Sequence, residues 1–388
     1  MRLLHTSDWH LGRSFHGAGL LDAQRGFIDE LVRTVTERRI DVVLIAGDVY
    51  DRALPGVDVV ALFDDALVRL RNAGAQVVVS SGNHDSATRL GFGGRLFAEA
   101  GLHLRTRLDE AATPAVFERD GHSVAVYALP YLEPRMVAER LGVAAPGHAP
   151  VVEAALALVR EDLAERRAAS AVPVAAVVLA HVFAAGGKAS TSERELGVGG
   201  LDVVPVSHFA GFDYVALGHL HGHQELAEHV RYSGSPLPYS FSEAGHSKGA
   251  VLVELSADGL RHVERIEWPA PKRLAVLRGE LDALLGDSAL AWAEQAWCQV
   301  TLTDSERPGQ AMERLRRRFP DTLVLAFEPE GRAEGAPKTY GDRLREAEDP
   351  LGVCEGFVEH VRERRTSDAE SRLLRDVLGA AAAAEVSA

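Results

Sequence analysis

Five times in this chain an apolar run stops abruptly at residues whose side chains bind metals. The runs lead into Asp8-Trp9-His10, Gly47-Asp48, Gly82-Asn83-His84-Asp85, His181 and Gly218-His219-Leu220-His221. The clearest, Val42 through Ala46, is short and rich in β-branched residues, as a strand buried on both faces requires. Open α/β sheets gather their ligands where strands end. Five such endings therefore constrain the chain to a layered α/β fold in which one sheet edge collects all five clusters.

The segments between these runs agree. Leu21–Arg38 carries Phe27, Leu31 and Val35 at helical spacing, and 57–71 reads as a second helix. With strands expected at 41–46 and Gln76–Ser80, the order is β-α-β-α-β, an α/β layered core. Residues 134–168 are rich in Ala, Glu and Arg and read as helical. Strands are expected at 174–180, 214–217, 230–232 and 250–254, and a loop at 186–200. The texture changes at Trp268-Pro269-Ala270-Pro271, which divides an expected core domain, 1–268, from a small α/β capping module, 269–330. That module holds strand-like runs at 274–276, 299–302 and 323–327 and a basic helix at 310–318. A charged linker follows at 331–348, then two C-terminal helices at 349–388. Asp349 before Pro350 is the expected cap of the first. Ser367 with Glu370 is a capping box opening the second.

A chain of 388 residues, 46% apolar and 25% charged, has the size of two or three domains and the balance of an ordinary soluble protein. No run approaches the roughly 20 apolar residues that span a bilayer, and polar residues interrupt the N-terminus at once, so neither a membrane span nor a signal peptide is expected. Two cysteines, Cys298 and Cys354, fit a reducing cytoplasm. A net charge of −14 is awkward for a protein that holds DNA unaided, since phosphates need a basic face. Either the substrate is not a polymer, or metals and a partner supply the positive charge.

Taken singly, each cluster also admits an ordinary reading: a turn aspartate, a core histidine, a Gly-Asn turn. Jointly they favour a metal site. Asp8 and His10, two apart, can leave one strand edge together, as can His219 and His221. A carboxylate such as Asp48 can bridge two ions, Asn83 offers a neutral oxygen, and His84 can act as an acid without being a ligand.

The five motifs, D-x-H, G-D, G-N-H-D, a lone H and G-H-x-H, occur in the order that characterises the calcineurin-like metallophosphoesterases, and the chain resembles that family. The resemblance implies a four-layer α/β/β/α sandwich around two metal ions. Asp8, His10, Asp48 and His221 would hold the first, and Asp48, Asn83, His181 and His219 the second. His84 would be the catalytic histidine. The ligand mix suits Mn²⁺, with Mg²⁺ second. The stretches Leu-His-Thr-Ser-Asp-Trp-His-Leu-Gly, Ile-Ala-Gly-Asp-Val-Tyr-Asp, Gly-Asn-His-Asp-Ser, Ala-Leu-Gly-His-Leu-His and Tyr-Ser-Gly-Ser-Pro look like bacterial SbcD-type nuclease subunits. That narrower resemblance implies a homodimeric DNA exo/endonuclease, acting in DNA end processing, repair and recombination with an SbcC-type coiled-coil ATPase. Archaeal and eukaryotic relatives carry a histidine three residues after the bridging aspartate. Asp51 stands there in this chain, which places the resemblance on the bacterial branch. The basic run Arg314, Arg316, Arg317, Arg318 reads either as a DNA-backbone contact or as a solvated helix face. The apolar stripe Leu351, Val353, Phe357, Val358, Val361 would dock on the ATPase coiled coil or pack on its own protein. A small-substrate phosphodiesterase and a metal-free scaffold are the alternatives.

Overall fold

The computed structural model describes residues 1–145, 147–191, 193, 203–330, 350–362, 364 and 366–386. The linker expected at 331–348, the Asp349 cap and residues 194–200 of the expected loop lie outside them. By contact the chain divides into two units: Met1–Leu302 with Gln310–Ala326, and Thr303–Gly309 with Phe327–Ala388.

In the first unit the elements run β1 (Arg2–Thr6), α1 (Leu21–Arg38), β2 (Val42–Ala46), α2 (Val57–Asn72), β3 (Gln76–Ser80), β4 (Leu102–Arg105), β5 (Ala115–Arg119), β6 (His122–Ala128), α3 (His148–Ala169), β7 (Val174–His181), β8 (Tyr214–Gly218), β9 (Gln224–Ala227), β10 (Val230–Tyr232), β11 (Gly249–Ser256) and β12 (Gly259–Glu267). They build two six-stranded sheets, ordered β12-β11-β1-β2-β3-β4 and β9-β10-β8-β7-β6-β5. The strands that end in the candidate residues are central and mutually parallel: β1 with β2, β2 with β3, and β7 with β8.

Strand alternation explains the layering. Leu4, Val43, Ile45 and Val77 face α1 and α2, where Phe27, Leu31 and Leu70 meet them. Their neighbours Leu3, Val42, Leu44 and Val78 face the other sheet and pack on Val124, Val126, Val177 and Leu179. The far side of the second sheet presents Val178, Val215 and Leu217 to Val152, Leu156 and Val159 of α3. The result is the expected four-layer α/β/β/α sandwich. One polar bolt crosses between the sheets. His5 of β1 donates from Nε2 to the Leu217 carbonyl, 3.1 Å away on β8, and accepts at Nδ1 from the Tyr214 hydroxyl at 2.9 Å. The carbonyl can only accept, which fixes the tautomer.

Two parts depart from expectation. The helical reading of 134–168 breaks into the turns Pro134–Val137 and Glu139–Leu141, then resumes as α3. Gly142 is the cause: at φ +68° it takes the left-handed conformation that terminates a helix. Strands β4, β5, β9 and β12 form the sheet edges and β6 lies just inside β5; these five had no place in the sequence reading.

Beyond Trp268, whose indole donates to Thr34 Oγ1 at 3.1 Å, come β13 (Leu274–Gly279), β14 (Trp297–Leu302), α4 (Ala311–Arg318) and β15 (Thr322–Phe327), which form a three-stranded sheet with one helix. The arginines of α4 are occupied within the protein. Arg314 pairs with Asp282, Arg316 donates to the Thr322 carbonyl, and Arg317 pairs with Glu313. Arg318 binds Glu294 and the Leu284, Leu285 and Asp287 carbonyls. In the second unit α5 (Pro350–Arg362) leaves Phe357 and Val361 exposed. The capping box opens α6 (Asp368–Val386): Ser367 donates its N–H to Glu370 at 2.8 Å, and Glu370 N–H reaches Ser367 Oγ at 3.4 Å. No helix among the described residues is long and apolar enough to cross a membrane.

The inter-sheet bolt is testable. His5→Leu keeps the volume but strands a buried carbonyl and a buried hydroxyl. It should lower unfolding free energy by about 1–3 kcal/mol in urea denaturation.

Candidate metal centre

The close approach of the two sheets builds the centre. A Cβ on Gly218 would lie 1.8 Å from the Ala46 carbonyl oxygen of the opposite sheet, and one on Gly82 would lie 2.1 Å from Asp48 Oδ1. Only glycine permits either contact. Beyond the strands the backbone turns against ordinary preference. Eight non-glycine residues among those described have positive φ, and Asp8, His10, Asp48 and His219 are four of them. Left-handed conformations at non-glycine residues store strain that surrounding structure must hold, and they gather at functional sites.

Hydrogen bonds lock these turns. Asp8 N–H donates to Gly47 O at 3.1 Å and His10 N–H to Asp48 O at 3.0 Å, tying the first cluster to the second. His219 N–H donates to Asp8 Oδ1 at 2.9 Å, tying the second sheet to the first. His84 N–H donates to Asp48 Oδ1 at 2.9 Å. The Asp85 carboxylate accepts from Val49, Tyr50 and Gly82 N–H at 3.1, 2.9 and 2.9 Å, clamping two loops together.

The side chains converge as three overlapping groups whose ligand atoms lie within 4.8 Å of one another: Asp8, His10 and His221; His10, Asp48 and His84; and Asp8, Asp48 and His181. Asn83 joins the third, its Oδ1 2.9 Å from His181 Nε2. The His219 ring lies edge-on to His181 with centroids 5.3 Å apart, outside the three tight groups. All eight residues proposed from sequence thus lie in one place, seven of them buried and Asn83 half-buried.

The donor set fits a cation. His181 donates from Nδ1 to the Ala46 carbonyl at 3.1 Å, which turns Nε2 onto Asn83 Oδ1 and onto Asp48 Oδ2, 3.4 Å away. A neutral imidazole would set its lone pair against two oxygens there, a conflict that a cation between them resolves. His10 and His221 bring their Nε2 atoms within 3.1 Å, and His10 Nδ1 is buried with no hydrogen-bond partner. The electrostatics agree. Burial pushes the Asp8 carboxyl up to about 6 against the pull of His181 and His221. Burial also works against charge on His181, yet Asp48 and Asp8 outweigh it and hold its pKa at about 9. Burial opposes ionisation of Asp48, but His181, His10 and His84 keep it well below the usual carboxylate range. A pocket that keeps a proton on a fully buried imidazole is one that seeks positive charge.

Sequence reasoning missed several residues around the centre. Glu243 and Lys248 form a buried ion pair against His221. Glu193 Oε1 accepts His221 N–H at 2.8 Å. Arg13 lies over the Tyr239 ring, 5.1 Å from its centroid, and 3.6 Å from Asp51 Oδ1. Asp51 itself presents its carbonyl to His84 Nδ1 at 2.8 Å. Glu193, Glu243 and Lys248 carried no motif, because each reaches the centre from a distant loop, and Asp51 was noted only for its departure from the family pattern.

Comparison with known proteins gives two family matches. The calcineurin-like phosphoesterase family profile matches residues 1–223. The SbcD C-terminal profile, described as the type 5 capsule protein repressor C-terminal domain, matches 270–362. Among solved structures, a dimetal phosphatase from Danio rerio aligns at 12% identity over 69% of this chain and 97% of its own, with TM-score 0.37. GAP50, the anchor in the inner membrane complex of Plasmodium, aligns at 11% identity over 85% and 98%, also with TM-score 0.37. The two family profiles support a phosphoester hydrolase of SbcD type, and the buried Asp/His groups suit a divalent metal.

The loop clamp yields a prediction. Asp85→Ala leaves three N–H donors without their acceptor and should cost at least about 3 kcal/mol in chemical denaturation, since each unsatisfied buried donor costs about 1–3 kcal/mol.

Proposed function

The chain belongs to the calcineurin-like phosphoesterase family, and on that premise we propose that it is the DNA nuclease subunit of an SbcC–SbcD-type complex acting in end processing, repair and recombination. The observation that carries the reading is the pairing of a buried Asp/His centre with an SbcD-type C-terminal segment in one chain. The domains of the proposal are a nuclease domain at 1–268, a capping domain at 269–330 and, after a linker, tail helices at 349–388 that dock on the ATPase coiled coil. Exposed Phe357 and Val361 support that docking. Leu54, Val57, Phe92 and Leu96 stand largely in solvent, and the Arg89 guanidinium on the Ala53 carbonyl (3.4 Å) sets their two segments side by side. They offer a homodimer its surface. The setting proposed is the cytoplasm.

In this reading Asp8, His10, Asp48 and His221 would hold one ion and Asp48, Asn83, His181 and His219 the other, Asp48 being shared. Nitrogen and oxygen donors without thiolate favour Mn²⁺ over a thiolate-seeking metal, with Mg²⁺ second. When bound, the two ions would supply positive charge against the phosphate oxygens and lower the pKa of a bound water. The chain's own residues do the rest. Asp8 and Asp48 fix the site's geometry through the main-chain N–H groups they accept. His84 is oriented twice, by Nδ1–H on the Asp51 carbonyl and by its own N–H on Asp48. Protonated on Nε2 as well, which faces Asp48 Oδ2 at 3.9 Å, it would stabilise the phosphate in flight or protonate the leaving sugar oxygen. The net charge of −14 and the pairing of the α4 arginines with the chain's own acceptors support a reading in which the ATPase partner supplies much of the DNA grip. The same two observations favour a second reading, a small-ester phosphodiesterase.

His84→Ala should retain Mn²⁺ and lose at least about 100-fold in cleavage rate, the scale of a general acid. Loss of metal with activity would remove the role given to it. Asp48→Ala should lose both ions by metal analysis. Mn²⁺-dependent assays on single- and double-stranded DNA and on bis-p-nitrophenyl phosphate, with and without a coiled-coil ATPase, separate the two readings. Activity confined to the small ester under all conditions would leave only the second.

A further inference from the structure

His221 is pinned in a way that its neighbours are not. Its main-chain N–H is taken by Glu193 Oε1 at 2.8 Å, and its carbonyl accepts from Lys248 Nζ at 2.8 Å. Its ring Nδ1 faces Glu243 Oε1 at 3.3 Å. A carboxylate that is paired with a lysine accepts, so Nδ1 carries the hydrogen and Nε2 is the bare nitrogen, the one that faces His10 and Asp8. The rings of His181 and His84 are held differently, each by a main-chain carbonyl on Nδ1.

The grip on His221 is built at a cost. Glu243 is 1% exposed and Lys248 6%. Burying both charges exceeds what their attraction returns unless every remaining donor is satisfied. Here they are satisfied: Lys248 spends its three donors on the His221 carbonyl, Ser235 Oγ at 2.9 Å and Glu243 Oε2. Glu243 Oε1 also receives the Tyr239 N–H at 3.3 Å. An apolar pair would fill the same space at no electrostatic cost, but it could not hold an imidazole in one tautomer or make its free nitrogen more basic.

We propose that Glu243, charge-balanced by Lys248, is a positioning residue for His221, orienting its ring and strengthening Nε2 as a donor to a divalent ion. This rests on the metal-site reading above. It goes beyond that reading by assigning part of the ion's affinity to a buried pair that neither ligates the ion nor touches substrate.

The test is an Mn²⁺ titration of the full chain followed by electron paramagnetic resonance of free Mn²⁺, alongside the melting temperature of the metal-free protein. Glu243→Gln should raise the dissociation constant of one bound Mn²⁺ about 10–100-fold, the range measured when such carboxylate–histidine contacts are cut. It also strands the Lys248 charge, so the double variant Glu243→Gln/Lys248→Met removes both charges. That variant should melt near wild type and still bind one Mn²⁺ more weakly. Wild-type affinity within twofold in either folded variant overturns the assignment. Unfolding of both variants also overturns it and makes the pair a structural strut. Wild-type protein that takes up no Mn²⁺ sinks the metal-site reading itself, an outcome distinct from the other two.

Discussion

Asp8 and Asp48 lie out of water at the seam between two β-sheets, and their neighbours are arranged around that burial. Desolvating a carboxylate costs several kcal/mol unless opposite charge and donors replace the lost water. Here the replacement comes from main-chain N–H groups of His219 and His84 and from the imidazoles of His10, His181 and His221. The balance is incomplete: one carboxyl is pushed up and the other held down, and an imidazole keeps its proton against burial. The raised Asp8 carboxyl and the proton kept on His181 both reflect a demand for positive charge. The pocket is short of positive charge, and a divalent ion supplies what it lacks.

The same seam sets the backbone. The sheets meet closely enough that Gly82 and Gly218 have no room for a Cβ, and four of the converging residues sit at positive φ. Such strain persists only where the surroundings over-determine it. Parallel central strands below and the Asp85 clamp above supply that constraint. Packing of the inter-sheet core thus translates directly into the spacing of ligand atoms.

Charge is distributed to match a narrow task. The acidic chain buries Asp8, Asp48 and Glu243 at one seam and pairs the arginines of α4 with its own carboxylates and carbonyls. Near the cleft, Arg13 brings a guanidinium to the Asp51 edge. The chain's bulk field is therefore not one that attracts a polyanion, whereas the groups for chemistry at a single phosphoester are gathered locally.

Much of this was legible in the order of residues. Apolar runs announced β2, β3, β7 and β8, because a strand buried on both faces must be apolar throughout. The polar residues after them announced the centre, because ligands must follow the strand that delivers them. The α1 stripe and the Ser367–Glu370 box were legible for the same local reason. Residues whose meaning depends on distant contacts were not. Glu243 meets His221 across 22 positions, and Glu193 meets it across 28. Asp51 bears on His84 through its carbonyl, which no side-chain motif encodes. The basic run of α4 looked available until its partners were placed. Sequence alone determined the central strands that lead into the candidate residues, the layered class and the types of candidate ligand, since these follow from local periodicity and side-chain chemistry. Tertiary structure alone decided which atoms share one pocket, which tautomer each histidine adopts and which charges are already paired. Those depend on desolvation and on distances between segments far apart in the chain.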